Sequence, residues 1–365
     1  MNYSIPMQIS SRRSGLANRR KEFEYRIADY LQVPYCVTTE SRQAALQLAL
    51  GAAGLQEGEH VLCATLGYNA IVQQIWRWGA VPVFVDINPN TFNLDAFCLE
   101  YAIAKHLRTK PHAPKVLITL DLFGLPCNYA RIEKICEKHQ ITLIEDMTQA
   151  LGAGIEERNS GTFGRFAVGN VLWGSANLSE NGIVCCHTPG DYLHLLELRD
   201  GWQRCAGGHG GPHAEYAQAI LLQECLKEAE QMRQKRYAVA QRYQHHLAGR
   251  VRTQLLPQGM RSAYHRFAVA LPNAALRVAA MEHLMQHRVP CSIYYPEPLY
   301  LYTPENSTPL AEEQPPLVHA PRTAQKLLGL PLHPYISNRV VDRVSGLLLE
   351  AVASSSDAAR QEGEA

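Results

Sequence analysis

The residues best able to do chemistry in this chain of 365 residues sit just beyond short apolar runs. Asp146 closes the run Ile141-Thr-Leu-Ile-Glu-Asp146, and Gln149 follows it. Ser41-Arg42-Gln43 comes after Tyr35-Cys-Val-Thr-Thr39, and the stretch 65–69, with Tyr68, comes after His60-Val-Leu-Cys-Ala64. Ligands of an open parallel sheet sit beyond the carboxyl ends of its strands, so these three loops are where a site is expected. A carboxylate that ends an apolar strand either faces a ligand or caps the next helix; position alone leaves both readings of Asp146 open. Buried and facing a ligand, it would be raised toward acid–base work. Histidine offers a second chemistry at His209-Gly-Gly-Pro-His213. That pair lacks i, i+4 helical spacing and a nearby carboxylate, so no metal site is predicted.

Positioning such loops takes strands alternating with helices. Strands are predicted at 35–39, 60–64, 81–86, 116–120 and 141–146, with helices at 22–31, 44–50 (capped by Ser41), 69–78, 94–106 and 129–138. Further strands are predicted at 167–172 and 182–186. Apolar runs of this length separated by helices predict a mostly parallel sheet covered on both faces. After Thr188 a helix is predicted at 191–198, then a Gly-rich loop at 206–211 and a long helix over 215–247. A smaller α+β unit follows, with strands at 264–271 and 291–295, a helix at 274–287, a loop at 315–319 and helices at 322–328 and 339–352. The predicted organisation is a basic leader (1–20), a large α/β domain with its long connecting helix (21–247), a small domain (248–353) and a tail without order (354–365).

Composition narrows the function. Apolar residues are 46% and charged residues 19%, enough for a sizeable core and too little charge for a disordered chain. Lys+Arg 35 against Asp+Glu 34 leaves a formal charge of +1, which gives no footprint for nucleic acid or an acidic membrane surface. Arg12, Arg13, Arg19, Arg20 and Lys21 form one short basic run, read as solvated. No stretch approaches the roughly 20 apolar residues of a membrane span, and the polar N-terminus has no apolar signal core. Ten dispersed cysteines without a Cys-x-x-Cys pair read as thiols in a reducing compartment. A cytoplasmic protein with a small-molecule partner is expected.

The order of motifs resembles the DegT/StrS-type sugar aminotransferases, a branch of the fold-type I pyridoxal phosphate enzymes. Ala44-Ala-Leu-Gln-Leu-Ala-Leu50 resembles the helix after that family's phosphate loop, and Ala80-Val-Pro-Val-Phe-Val-Asp86 its Gly-Ala-x-Pro-Val-Phe-x-Asp run. Leu122-Phe-Gly-x-Pro126 resembles its His-Leu-Tyr-Gly-x-Pro, with Asp121 in the histidine's place. Ile144-Glu-Asp-Met-Thr-Gln-Ala-Leu-Gly152, Tyr264-His-Arg-Phe267, Tyr295-Pro-Glu-Pro-Leu299 and Leu330-Pro-Leu-His-Pro334 complete the set, so the resemblance covers nearly the whole chain. It implies a fold-type I architecture: a mostly parallel central sheet covered by helices, with a smaller C-terminal α+β domain. It also implies that Asp146 partners a pyridinium nitrogen, that Gln149 lies near the ring hydroxyl, and that Tyr68 stacks on the ring. Ser41, Arg42, Gln43 and Asn170 would be the remaining residues of the cofactor pocket, or of a vestige of it. The family's two-fold interface implies a homodimer, or a heterodimer with a relative.

Several positions depart from the pattern. Counting without a gap from Gly161-Thr-Phe-Gly164 puts the family's lysine position at Ser175, and a one-residue shift puts it at Ala176. No lysine occurs between Lys138 and Lys227. The Ser-Gly-Thr phosphate loop is Ser41-Arg42-Gln43 here, a phosphate-contacting serine is Asn170, and the Asn-x-Arg that crosses the dimer is Gly211-Pro-His213. These departures predict an atypical, lysine-less enzyme that forms no internal aldimine and does not transaminate in the ordinary way. It would have no covalently bound cofactor, and would act cofactor-free or with non-covalent pyridoxamine phosphate. Asp146, Ser175, His265, His213 and Tyr295 are its candidate catalytic groups. The alternative is an inactive homologue serving as a partner subunit or ligand sensor. Polar replacements, where apolar ones would plug a pocket more cheaply, favour the enzyme.

Overall fold

The computed structural model describes residues 14–110, 112–170, 181–205, 212–302 and 317–363. Its centre is a seven-stranded sheet. The strands in chain order are β1 (Tyr35–Thr39), β2 (His60–Ala64), β3 (Val81–Val85), β4 (Val116–Leu120), β5 (Thr142–Asp146), the short pair β6 (Gly154–Ile155) and β7 (Arg158–Asn159), then β8 (Phe166–Gly169) and β9 (Gly182–Cys186). The large sheet runs β1-β9-β8-β5-β4-β2-β3. β3, β2, β4, β5 and β8 are mutually parallel, and only β9 runs against its neighbours, pairing antiparallel with both β8 and β1. β4 is buried along its full length, which is why its sequence, Val-Leu-Ile-Thr-Leu, shows no polar alternation.

Helices cover both faces. They are α1 (Ser14–Leu31), α2 (Arg42–Ala52), α3 (Ala70–Arg77), α4 (Ala96–Thr109), α5 (Tyr129–His139), α6 (Pro189–Cys205) and α7 (Pro212–Leu247). One core joins α2 and α3 to the sheet through Leu48, Leu50, Ile71, Val72, Ile75, Ile118 and Phe166. A second, on the opposite face, is built by α4 and α5 through Leu99, Ile103, Ile132 and Ile135. Caps fix where helices begin: the Asp95 carboxylate accepts from the Phe97 and Cys98 amides at 2.8 and 3.1 Å, ahead of α4. α1 begins inside the stretch read as a basic leader, so part of that run is helix.

The C-terminal unit holds β10 (Arg252–Thr253), β11 (Met260–Arg261), β12 (Phe267–Ala270), α8 (Ala274–Gln286), α9 (His319–Ala324), β13 (Leu327–Leu330) and α10 (Asn338–Gly363). Its core draws on Tyr243 and Leu247 at the end of α7 as well as Phe267, Leu284, Leu328 and Leu348. Three expectations change here. The stretch 322–328 is not one helix: α9 stops at Ala324, and Leu327–Leu330 turns into a buried strand paired antiparallel with β12. The stretch 291–295 makes only an isolated bridge, Ser292 to Gly329, because Pro290 and Pro296 flank it and Tyr295 takes φ 57°. The composition of the tail suggested no order, yet α10 continues to Gly363.

One carboxylate joins the two units. Asp86, just past β3, accepts from the amides of Val318 and His319 at 2.7 Å each and of Ala320 at 2.8 Å, so it caps α9 from the other side of the cleft.

Candidate functional site

The three loops singled out by the strand pattern converge. Ser41 keeps extended backbone, and its hydroxyl accepts from the Ala44 amide at 3.1 Å, which starts α2. Gly182 of β9 lies so close to the Ser41 carbonyl and the Thr39 hydroxyl that no β-carbon fits there. Arg42, the first residue of α2, turns inward and sets its guanidinium over the Tyr68 ring, 3.9 Å from the centroid, whereas Gln43 is exposed. Tyr68 is carried on the loop after β2. Gly67 lets that loop lie on β4, since a β-carbon there would meet Leu120 at 2.8 Å.

Asp146 ends β5 and is buried, at 1% exposure. No helix follows it, so it is not a helix cap; its carboxylate accepts from the Thr148 amide at 3.0 Å and turns the chain. Burial pushes its pKa above the usual carboxylate range, and the nearby Arg42 charge and the bond from Thr148 pull against that rise. Gln149 is held at both ends of its side chain. Its Oε1 accepts from the Phe123 amide at 2.7 Å, and its Nε2 donates to the Tyr295 hydroxyl at 2.7 Å. With that lone pair occupied, the Tyr295 hydroxyl has its own proton to donate elsewhere. Its ring stacks on Phe123, 5.9 Å between centroids and 21° between planes, and burial pushes its pKa up.

His265, Thr148, Gln149, Asn170 and Arg236 line a cavity of about 40 Å³, enough for a water. Burial pushes the His265 pKa down to about 4, helped by the Arg266 and Arg236 charges, so the ring is neutral near pH 7. Three buried polar atoms here have no hydrogen-bond partner, the Tyr68 hydroxyl oxygen, Thr148 Oγ1 and Asn170 Oδ1.

Of the sequence-predicted residues, Arg42 meets Tyr68 and its charge is felt at Asp146, and Gln149, Tyr295, His265 and Asn170 meet around the Gln149 side chain and the small cavity. Ser41 serves as a cap, and Gln43 points to solvent. Ser175 lies outside the described residues, as does the loop 206–211; His213 falls in the first turn of α7, with only its backbone described. Among the described residues, no group of three or more His, Cys, Asp or Glu is placed to hold a metal ion.

Sequence reasoning gave no role to Phe123 or Arg236. Phe123 takes φ 61°, donates its amide to Gln149, and accepts from the His265 amide at 3.0 Å. The adjacent Gly124 is the visible signal, because a β-carbon there would meet the Tyr264 and His265 amides within 2.9 Å. Arg236, midway along α7, carries no comparable mark; it donates to the Ala263 carbonyl at 3.0 Å.

The model of the DegT/DnrJ/EryC1/StrS aminotransferase family matches residues 9–169 and 214–348. A Pseudomonas aeruginosa protein named UDP-2-acetamido-2-deoxy-3-oxo-D-glucuronate aminotransferase is 28% identical over 340 residues, covering 90% of this chain and 89% of its own. Among solved structures, a DegT/DnrJ/EryC1/StrS aminotransferase from Brucella abortus superposes with TM-score 0.76 at 26% identity, covering 90% of this chain and 89% of that one. DesV from S. venezuelae, solved in complex with a ketimine intermediate, superposes with TM-score 0.77 at 24% identity, over 93% and 94% of the two chains. The fold is that of the fold-type I aminotransferases.

These likenesses correct two expectations. The departures at Ser41-Arg42-Gln43, Asn170 and Ser175 suggested a protein that does not transaminate, or an inactive homologue; relatives aligned along nine-tenths of the chain are named aminotransferases. They also suggested no covalently bound cofactor, with cofactor-free action or non-covalent pyridoxamine phosphate; against that, a Bacillus subtilis relative, 33% identical over 146 residues (40% of this chain, 37% of its own), bears the name "Putative pyridoxal phosphate-dependent aminotransferase EpsN". The residues present fit such a group: a buried carboxylate, an aromatic face and three buried polar atoms without partners are what a polar heterocycle would meet.

Proposed function

The chain belongs to the DegT/DnrJ/EryC1/StrS aminotransferase family, and from that premise we propose that it transfers an amino group to a small polar, sugar-like carbonyl compound, using a pyridoxal-type cofactor seated against Tyr68 and Asp146. The observation that carries this reading is the set of partnerless buried atoms, Tyr68 Oη, Thr148 Oγ1 and Asn170 Oδ1, on the loops that leave β2, β5 and β8, with the buried Asp146 carboxylate at the end of β5. Leaving such atoms unpaired costs roughly 1–3 kcal/mol each, and a bound polar ligand offsets that cost.

When bound, the cofactor supplies an electron sink that lets an amino group pass to a carbonyl carbon. The protein supplies the rest. Asp146 would keep the ring nitrogen protonated, Tyr68 would cover a ring face, Gln149 would sit at the ring hydroxyl, and Asn170 with the Ser41 end of α2 would meet the phosphate. Protons would be carried by the Tyr295 hydroxyl, whose acceptor side Gln149 already fills, and by the neutral His265 imidazole.

A finer part of the reading rests on sequence: with no lysine between Lys138 and Lys227, the family's lysine is missing from its usual place. Any lysine that joins the cofactor then comes from outside residues 139–226. The cysteine usage favours a cytoplasmic setting, and the family's two-fold site favours a pair of chains, like or unlike. Incubating the cofactor-loaded protein with nucleotide-linked keto-sugars and α-amino acid donors, with mass spectrometry of the sugar, tests the activity. An amino sugar with matching keto acid is the expected product; no product from any sugar, keto-cyclitol or donor contradicts the proposal.

A further inference from the structure

Arg42 stands where the proposed function needs a ring. Its guanidinium covers the Tyr68 ring at 3.9 Å from the centroid, and its charge reaches both Asp146 and Tyr295. Among the described residues no hydrogen bond or salt bridge fixes it there; the cation–π contact is its recorded partner. The side chain is half-buried, so it has an open side toward which to move. A planar cation lying on an aromatic face, with its charge felt by a buried carboxylate, has the charge and planarity of a protonated pyridine in that seat. The cavity lined by Gln149, Asn170 and His265, at about 40 Å³, is too small for an aromatic ring.

We propose that Arg42 is a built-in occupant of the cofactor's ring seat: it stacks on Tyr68 in the cofactor-free protein, where its charge favours the Asp146 carboxylate, and it must swing aside for the cofactor to enter. This rests on the reading that the ring binds between Tyr68 and Asp146. The device has a physical rationale. A buried carboxylate left without a cation is costly, and Arg42 offsets that cost whenever the seat is not otherwise filled. Loading is then a competition between two cations for one carboxylate and one aromatic face. A guanidinium that also left its charge behind near the phosphate would not change the sign of that competition at the ring.

The competition predicts opposite effects of Arg42 on ligand affinity and on the stability of the cofactor-free protein. The purified full chain and its R42A and R42K variants are titrated with pyridoxamine, which lacks the phosphate, and with pyridoxamine 5′-phosphate, and binding is read by calorimetry. Thermal midpoints are recorded without ligand. R42A is expected to bind pyridoxamine about tenfold more tightly than the parent chain while melting at a lower temperature. R42K, which keeps a cation but loses the planar stacking surface, is expected to fall between them. Equal or weaker pyridoxamine binding by a folded R42A, with binding by the parent chain intact, overturns the proposal and leaves the cofactor reading standing. Binding by none of the three proteins, with either compound, overturns the cofactor reading and this proposal with it.

Discussion

The Gln149 amide nitrogen donates to the Tyr295 hydroxyl at 2.7 Å, across 146 residues of sequence, so a loop of the large sheet and a loop of the C-terminal unit meet in one hydrogen bond. The other end of the same side chain accepts from the Phe123 amide. Replacing Gln149 by Ala leaves a buried amide and a half-buried hydroxyl without this partner. Q149A is expected to lose about 2 kcal/mol of stability in urea denaturation. Q149E keeps an acceptor for Phe123, and the Tyr295 hydroxyl can turn to donate to it, so a smaller loss is expected. Equal losses would mean that the bond to Tyr295 is not what holds the two loops.

Tyr68→Phe separates stability from binding. Removing a buried hydroxyl that has no partner is expected to make the ligand-free protein about 1 kcal/mol more stable. The same change is expected to weaken pyridoxamine 5′-phosphate binding if that hydroxyl meets the ligand. Thermal melts with and without ligand give both signs in one experiment.

Asp86→Ala removes the acceptor for the amides of Val318, His319 and Ala320, along with Ile87. The loss is expected to be about 3 kcal/mol, because two of the four donors, on Ile87 and Ala320, are buried and a carboxylate acceptor is lost to both. D86N, which keeps one acceptor oxygen, is expected to recover part of it. Hydrogen exchange should place the loosening in α9 and not in the central sheet.

Stability should carry a signature of Asp121. Its carboxylate is fully buried and accepts from the Tyr129 hydroxyl at 2.7 Å, the Cys127 amide at 3.0 Å and the Ser160 hydroxyl at 3.1 Å. Burial nevertheless pushes its pKa up to about 6. The folded chain then holds a proton that the unfolded chain has released, so this group favours the fold most below about pH 4 and its contribution falls as the pH rises to about 6. Glu145 is pushed up as well, by burial and then by Asp121, and widens the same effect. The stability difference between D121N and the parent chain, from urea midpoints, should therefore shift in favour of D121N across that window and level off above it. A difference that is flat with pH would show that Asp121 is ionised in the folded chain throughout.

The large sheet was legible because its parallel strands are buried on both faces and so appear as unbroken apolar runs such as Val116-Leu-Ile-Thr-Leu120. The same property misled at 322–328, where Leu327 and Leu328 belong to an equally buried strand behind a helix of six residues. Asp146 was legible by position, and its environment decided between ligand-facing group and cap. The stacking of Arg42 on Tyr68 was not legible, because it depends on a side-chain direction set by the cap at Ser41. Phe123 was hidden for a related reason: its part is played by its backbone, which any residue type can offer. The departures at Ser41-Arg42-Gln43 and Ser175 were plain in the sequence, but they were given more weight than the nine-tenths of the chain that follows the family's frame.

If the site around Asp146 holds a pyridoxal-type cofactor, a binding titration reveals it. Pyridoxal phosphate and pyridoxamine 5′-phosphate are titrated into the parent chain and into D146N, with bound ligand counted after equilibrium dialysis. The account predicts about one ligand per chain, and affinity for D146N lower by about tenfold or more, since the ring nitrogen loses its charged partner. No saturable binding to the parent chain, or equal affinity for the two proteins, would contradict it.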